Sequence, residues 1–187
     1  MADQGTEGLL SPFLRKQRFH AAMPYLCGRV LDVGCGSGAL AKSIHPQSYI
    51  GVEVDQISLR KAQACFPLHA FQDKLPPEHE KFDTVVSLAV IEHVCDPGSF
   101  LESLARFLRD DRARIILTTP HPSVDWVHSV GAFFGLFSKH ASEQHECLMT
   151  KESLERHSMA AKLSLVSYER FLLGANQLIV LKRNMEK

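Results

Sequence analysis

The sequence predicts an α/β fold on a mostly parallel, seven-stranded sheet, and three observations carry that prediction. Short apolar runs recur along the chain with helix-length segments between them. A glycine-rich turn follows directly on the first run, and the chain closes on two strands joined by a short turn. Strands alternating with helices pair in parallel through right-handed crossovers, which gives a doubly wound sheet.

Each element can be justified in order. From Pro12 to Tyr25, the spacing of Phe13, Leu14, Phe19, Ala22 and Met23 predicts an amphipathic helix, preceded by a disordered tail over residues 1–10. The strand runs are RVLDV (29–33), YIGVEV (49–54), a weaker PLHAF (67–71), FDTVVSL (82–88) and ARIILTT (113–119). Between them, ALAKSIH, QISLRKAQACF and PGSFLESLARFL have helical spacing. The pattern changes after Pro120. Residues 123–160 hold two predicted helices, the second with Thr150 as N-cap, and the apolar stretch VGAFFGLF. LSLVSYERFLL and QLIVLKR, around GAN, then predict an antiparallel hairpin at the sheet edge. No internal repeat, low-complexity tract or linker interrupts the 187 residues, so one domain is expected, with 121–160 as its variable segment.

Composition narrows the function. Lys+Arg and Asp+Glu balance at 21 each, so no global field attracts nucleic acid or an anionic membrane, and no nucleic-acid partner is expected. The cysteines (Cys27, Cys35, Cys65, Cys95, Cys147) are odd in number, scattered and without a CxxC pair. They suit neither a disulfide framework nor a zinc ribbon, and fit a reducing compartment. The first residues lack a signal-peptide pattern, and no segment reaches the roughly 18 apolar residues of a membrane span. A cytoplasmic address is the expectation.

The turn Gly34-Cys35-Gly36-Ser37-Gly38 falls where a parallel sheet binds ligands, beyond the carboxyl end of a strand. Gly34, Gly36 and Ala39 loosely match a dinucleotide fingerprint, with Glu53 ending the next strand, so an NAD(P)-dependent reductase has to be weighed. Asp32 argues against it: a carboxylate at the strand end repels a pyrophosphate and attracts an ammonium group. The chain is also short for a separate substrate domain, and Tyr168 is followed four positions on by Leu172, not by a lysine. A ligand carrying an amine and a ribose, but no pyrophosphate, fits better.

These residues resemble a known family. VLDVGCGSG is similar to the first motif of class I S-adenosylmethionine-dependent methyltransferases, YIGVEVD to their second-strand motif and FDTVVSLAVIEHVCDP to their fourth-strand motif. LTTPHPS and the terminal hairpin extend the likeness, which is nearest to the small type 11/12 members. The resemblance implies a strand order of 3-2-1-4-5-7-6 and S-adenosyl-L-methionine as cofactor. It places Asp32, Gly34 and Gly36 at the methionine end and Glu53 on the ribose diol, with Cys35, Gly38 and Val54 also among the cofactor-binding residues. It puts Asp73 near the adenine, and Leu88 and Ala89 beside the sulfonium. The expected function is methyl transfer to a small-molecule acceptor whose identity the sequence does not disclose. The other class left open is a catalytically silent cofactor-binding protein.

Methyl transfer is mainly a positioning task, with a base needed only when the acceptor must lose a proton. Glu92 and His93, expected at the mouth of the site, and His145, just before the helix capped by Thr150, are the catalytic candidates. Glu92 and His93 also resemble part of the metal-binding motif of small-RNA 3′-end methyltransferases. Ala89 stands where that motif has its first glutamate, so no catalytic metal is expected and the two histidines should share the acceptor pocket. VGAFFGLF reads as lid or core, Trp126 as a packed aromatic, and Arg15, Lys16 and Arg18 as a solvated face from which one arginine could reach the cofactor's carboxylate.

Overall fold

Helices and strands alternate along the chain to build the sheet and its layers in the computed structural model, which describes residues 11–124 and 149–184. In order, the main elements are α1 (Ser11–Ala22), β1 (Val30–Val33), β2 (Tyr49–Val52), α2 (Gln56–Cys65), β3 (Ala70–Gln72) and β4 (Thr84–Leu88). There follow α3 (Pro97–Ala105), β5 (Arg114–Pro120), α4 (Lys151–Ala160), β6 (Leu163–Phe171) and β7 (Asn176–Arg183).

The strands form one sheet in the order β3-β2-β1-β4-β5-β7-β6. The first five are parallel, while β7 runs antiparallel to both β5 and β6. Both faces of the sheet are buried, and alternation along the strands decides which side chain goes where. Val85, Ile115, Leu117, Ile179 and Leu181 join one core with Leu101 and Leu104 of α3 and Leu154 of α4. Their neighbours Val86, Ile116 and Leu178 join a second core with Val30, Ala22 and Phe19. Helix α1 therefore covers the face opposite α3 and α4.

Helix starts follow local capping chemistry. Asp55 caps α2 by accepting from Ser58 N–H (2.9 Å), and Asp96 caps α3 by accepting from Ser99 N–H (3.1 Å), with Pro97 in the first turn. Thr150 caps α4 as expected, accepting from Ser153 N–H at 3.3 Å.

One expected helix does not form. ALAKSIH yields only turns and a 3₁₀ segment, Ala41–Ser43. Gly36 and Gly38 both take positive φ, so helical geometry cannot begin before Ala39. Pro46 then forces His45 into an extended conformation (φ −63°, ψ 136°), leaving too short a stretch to repay helix nucleation. The tail over 1–10, Trp126, VGAFFGLF and His145 lie outside the described residues. No helix among the described residues is long and apolar enough to cross a membrane.

Candidate active site

The turn after β1 is pinned before any ligand is considered. Gly34 and Cys35 both donate their backbone N–H to Val52 O at the end of β2, at 2.8 and 3.1 Å. Gly34 (φ +79°) has no room for a side chain, because a Cβ there would overlap Val90 of the turn after β4. Gly36 (φ +54°) is different: a Cβ there would meet nothing within 4 Å. That bare backbone faces open space, which is what close approach of a ligand requires. Gly38 serves packing, since a Cβ would lie 2.8 Å from Cζ of Phe71.

The open space is a cavity of about 690 Å³ at the carboxyl ends of β1 and β4. Asp32, Gly34, Cys35, Gly36, Leu88 and Ala89 line it, bringing together six of the residues singled out from sequence. Ala89 holds an unusual left-handed backbone (φ 58°), with its N–H donated to Thr118 O at 2.8 Å. A non-glycine residue in that region stores strain of about 1–2 kcal/mol. For the remaining walls, the sequence suggested only that one arginine of the first helix could reach the site. Arg15, Arg18 and Phe19 of α1, and Ile57, Ser58 and Lys61 of α2, also line the cavity. The two arginines therefore belong to the site, whereas Lys16 is exposed.

Glu53 stands half-buried beside this cavity, outside its immediate lining. Its Oε2 accepts from Gly36 N–H (2.8 Å) and its Oε1 from Asp55 N–H (2.9 Å). One carboxylate thus fixes both the glycine turn and the start of α2, and each oxygen keeps a second lone pair for a ligand. Val54 is 78% exposed and Asp73 is exposed at the end of β3, and neither lines the cavity.

Asp32 is only 3% exposed, and burial pushes its carboxyl up to about 7. The hydroxyl of fully buried Tyr49 donates to its Oδ2 at 2.7 Å and works in the opposite direction, while the charge of Glu53 adds to the rise. An ammonium group arriving at Asp32 would recover the ionised form that burial disfavours. Burial also raises the Cys35 thiol well above its ordinary range, so Cys35 is a wall and not a nucleophile.

The catalytic candidates separate. Glu92 was expected at the mouth of the site; it is instead 2% exposed in the 3₁₀ turn Ile91–His93 after β4. The cause is local: the turn folds back onto the sheet end, so Ile91 and Glu92 point inward together while His93 is exposed. Burial pushes the Glu92 carboxyl up, opposed by its own backbone N–H and by the charges of His93 and Arg18. Its Oε2 has no hydrogen-bond partner among the described residues, nor do the buried hydroxyls of Ser87 and Thr118 on the adjoining strands. Among the described residues, no three His, Cys, Asp or Glu side chains gather as a metal site.

Comparison with known proteins bears on this geometry. A family model described as a methyltransferase domain matches residues 8–168. A ubiquinone biosynthesis O-methyltransferase of Bradyrhizobium diazoefficiens is 32% identical over 102 residues, covering 48% of this chain and 39% of that protein. The mitochondrial ubiquinone biosynthesis O-methyltransferase of Arabidopsis thaliana is 31% identical over 112 residues, covering 52% and 34%. The matched region thus spans well under half the length of these relatives. Among solved structures, magnesium protoporphyrin IX methyltransferase from Synechocystis PCC 6803, with bound S-adenosylhomocysteine, superposes with a TM-score of 0.71 at 16% identity, covering 97% of this chain and 90% of that one. A Haloferax volcanii methyltransferase in complex with the activator Trm112 gives 0.72 at 14% identity, covering 94% and 93%. At such identities the structures establish the shared fold.

Proposed function

This chain belongs to the S-adenosylmethionine-dependent methyltransferase-domain family, and from that premise we propose that it transfers the cofactor's methyl group to a small-molecule acceptor. The observation that carries the reading is the open backbone at Gly36, flanked by Asp32 on one side and Glu53 on the other. Those residues fit the cofactor's chemistry. Asp32 offers a buried carboxylate to the ammonium group, Gly36 offers close backbone approach, and Glu53 offers lone pairs to the ribose hydroxyls. When bound, the cofactor supplies an electrophilic methyl group on a sulfonium.

The remaining work belongs to the chain. Leu88 and Ala89 close the wall at the end of β4, and Phe19 covers the cavity from α1. Excluding water there favours in-line approach of the acceptor. Where the acceptor must lose a proton, His93 takes the role of proton acceptor in this reading, because it is exposed in the turn after β4 while Glu92 is enclosed. His145 remains its proposed companion. The names of the similar proteins, which include ubiquinone-pathway and protoporphyrin methyltransferases, support a small-molecule acceptor for this chain.

Incubating the purified protein and a small-molecule extract with methyl-labelled S-adenosylmethionine tests this reading. Label should enter the low-molecular-weight fraction with stoichiometric release of S-adenosylhomocysteine. Label confined to protein or nucleic acid would refute the small-molecule acceptor. Tight cofactor binding without turnover across broad acceptor panels would instead favour the silent binding protein.

A further inference from the structure

Asp32 reaches the cavity as a buried acid, and the side chain that holds it is the first residue of the next strand. β1 and β2 pair in parallel, with Val30 opposite Tyr49 and Asp32 opposite Gly51. Side chains alternate along a strand, so Tyr49 lies on the same face as Gly51 and can reach along the sheet to Asp32. Its hydroxyl donates to Oδ2 of Asp32 at 2.7 Å, with both side chains buried. Among the described residues, Tyr49 is the side chain that donates a hydrogen bond to this carboxylate.

The hydroxyl is aimed by an aromatic box. The Tyr49 ring is 1% exposed and packs edge-on against His69 and Phe71, each with ring centroids 5.6 Å away. Phe71 and the Cys35 sulfur fill the space over Gly51, where a Cβ would lie 2.6 and 2.9 Å from them. Burial and the Asp32 charge push the Tyr49 phenol above its ordinary range, so it stays protonated and remains a donor. A phenylalanine ring would fill the same box, so the hydroxyl is explained by what it does for Asp32. With Oδ2 engaged by Tyr49, Oδ1 keeps its lone pairs for the cavity that Asp32 lines.

We propose that Tyr49 is a positioning residue for the ligand's ammonium group: its buried hydroxyl fixes Oδ2 of Asp32, favours the charged carboxylate and leaves Oδ1 to meet the amine. This rests on the proposed cofactor site for its functional consequence, but the hold on Asp32 can be read without ligand. The other titratable groups near Asp32 are the Cys35 thiol and the Glu53 carboxylate, with His69 behind the Tyr49 ring. Arg15 and Arg18 of α1 and Lys61 of α2 stand elsewhere in the cavity wall. Because the hydroxyl acts through the charge and aim of one carboxylate, its effect should be confined to ligands that carry an amine.

The test uses the full chain with Tyr49→Phe, Asp32→Asn and the two combined. Each is titrated by calorimetry with S-adenosylhomocysteine and with 5′-methylthioadenosine, which shares the adenine, ribose and thioether but lacks the amino-acid end. Tyr49→Phe should weaken S-adenosylhomocysteine binding by about tenfold at neutral pH, the scale of one hydrogen bond to a charged group. The rise of affinity with pH should move to higher pH, because the hydroxyl no longer favours the ionised carboxylate. Binding of 5′-methylthioadenosine should be unchanged, and with Asn at position 32 the loss of the hydroxyl should cost no more than about twofold. Equal weakening of both ligands, an unmoved pH profile, or an undiminished loss in the Asp32→Asn background would overturn the proposal. Should Tyr49→Phe not fold, NMR of the wild type decides: the Tyr49 hydroxyl proton should exchange slowly and shift as Asp32 titrates. A hydroxyl proton indifferent to that titration would equally overturn the positioning role. Wild-type protein that binds neither ligand would sink the cofactor reading alone, and the response of the hydroxyl proton would still decide the hold on Asp32.

Discussion

The turns after β1 and β4 meet across one cavity, and each is served by a buried carboxylate, but they are built on opposite principles. The first is a matter of backbone: positive φ at Gly34 and Gly36, N–H groups tied to Val52 O, and Asp32 satisfied by the Tyr49 hydroxyl. The second depends on side chains from distant parts of the chain. Glu92 is enclosed with one oxygen that has no partner among the described residues, and Arg18 of α1, in the cavity wall, is bonded to Asn176 of β7. A turn that is complete by itself can cradle whatever part of a ligand stays constant. One whose polar groups are incompletely satisfied is suited to the part of the reaction that varies.

Gly34→Ala attacks the point where the two turns touch. It adds a strained φ and a clash with Val90, so we expect a loss of stability of about 2–4 kcal/mol, read by chemical denaturation. Gly36→Ala, with φ strain alone, should cost about 1–2 kcal/mol in stability while weakening S-adenosylhomocysteine binding disproportionately. Equal losses in both variants would mean that Gly36 is packing like Gly34 and not an approach surface.

Glu53→Ala comes next. It should weaken S-adenosylhomocysteine binding by about 1.5–3 kcal/mol, the range for hydrogen bonds to a charged group. It also strips acceptors from Gly36 and Asp55, so a stability loss of about 1 kcal/mol should accompany it. Unchanged affinity in a calorimetric titration would remove Glu53 from the site.

Asp32 sharpens the comparison through pH. Its carboxyl sits at about 7 in the free protein against an ordinary 3.8. The folded state therefore keeps a proton between those values that the unfolded chain has lost, and this group lowers stability as pH rises through that window. A ligand ammonium reverses the preference, so binding should release a proton and strengthen by up to about tenfold from pH 6 to pH 8. Calorimetry in buffers of different ionisation enthalpy would detect the released proton. Asp32→Asn should flatten the pH dependence, and an unchanged profile in that variant would assign the proton elsewhere. The smallest expected effect is at Ala89. Replacing it with glycine relieves the left-handed strain at the cost of chain entropy, for a net gain of no more than about 1 kcal/mol in melting experiments.

The same contrast explains what the sequence could disclose. The apolar runs, the helical spacing between them and the capping signal at Thr150 are local, and the elements and the fold class were legible from them, whereas the caps at Asp55 and Asp96 emerged only with the structure. The helix expected in ALAKSIH failed because two left-handed glycines and Pro46 outweigh its apolar spacing. The glycine turn was legible because backbone shape is written in residue type, while Leu88 and Ala89 in the cavity wall were expected from the family resemblance. Glu53 was singled out from the sequence, but its grip on Gly36 was not legible, since that depends on how β2 ends beside the turn. Arg15 and Arg18 read as a charged face from which one arginine could reach the site, and the docking of α1 sets both in the cavity wall. Likewise, nothing in IEHV distinguishes the inward Glu92 from the outward His93 until the turn is folded.

Calorimetric titration with S-adenosylhomocysteine, run in parallel with NADH, tests most directly that the glycine turn holds S-adenosylmethionine. The account predicts one-to-one binding of S-adenosylhomocysteine that Glu53→Ala weakens at least about tenfold, with no measurable heat from NADH. Binding of NADH in its place, or S-adenosylhomocysteine binding indifferent to Glu53, would contradict it.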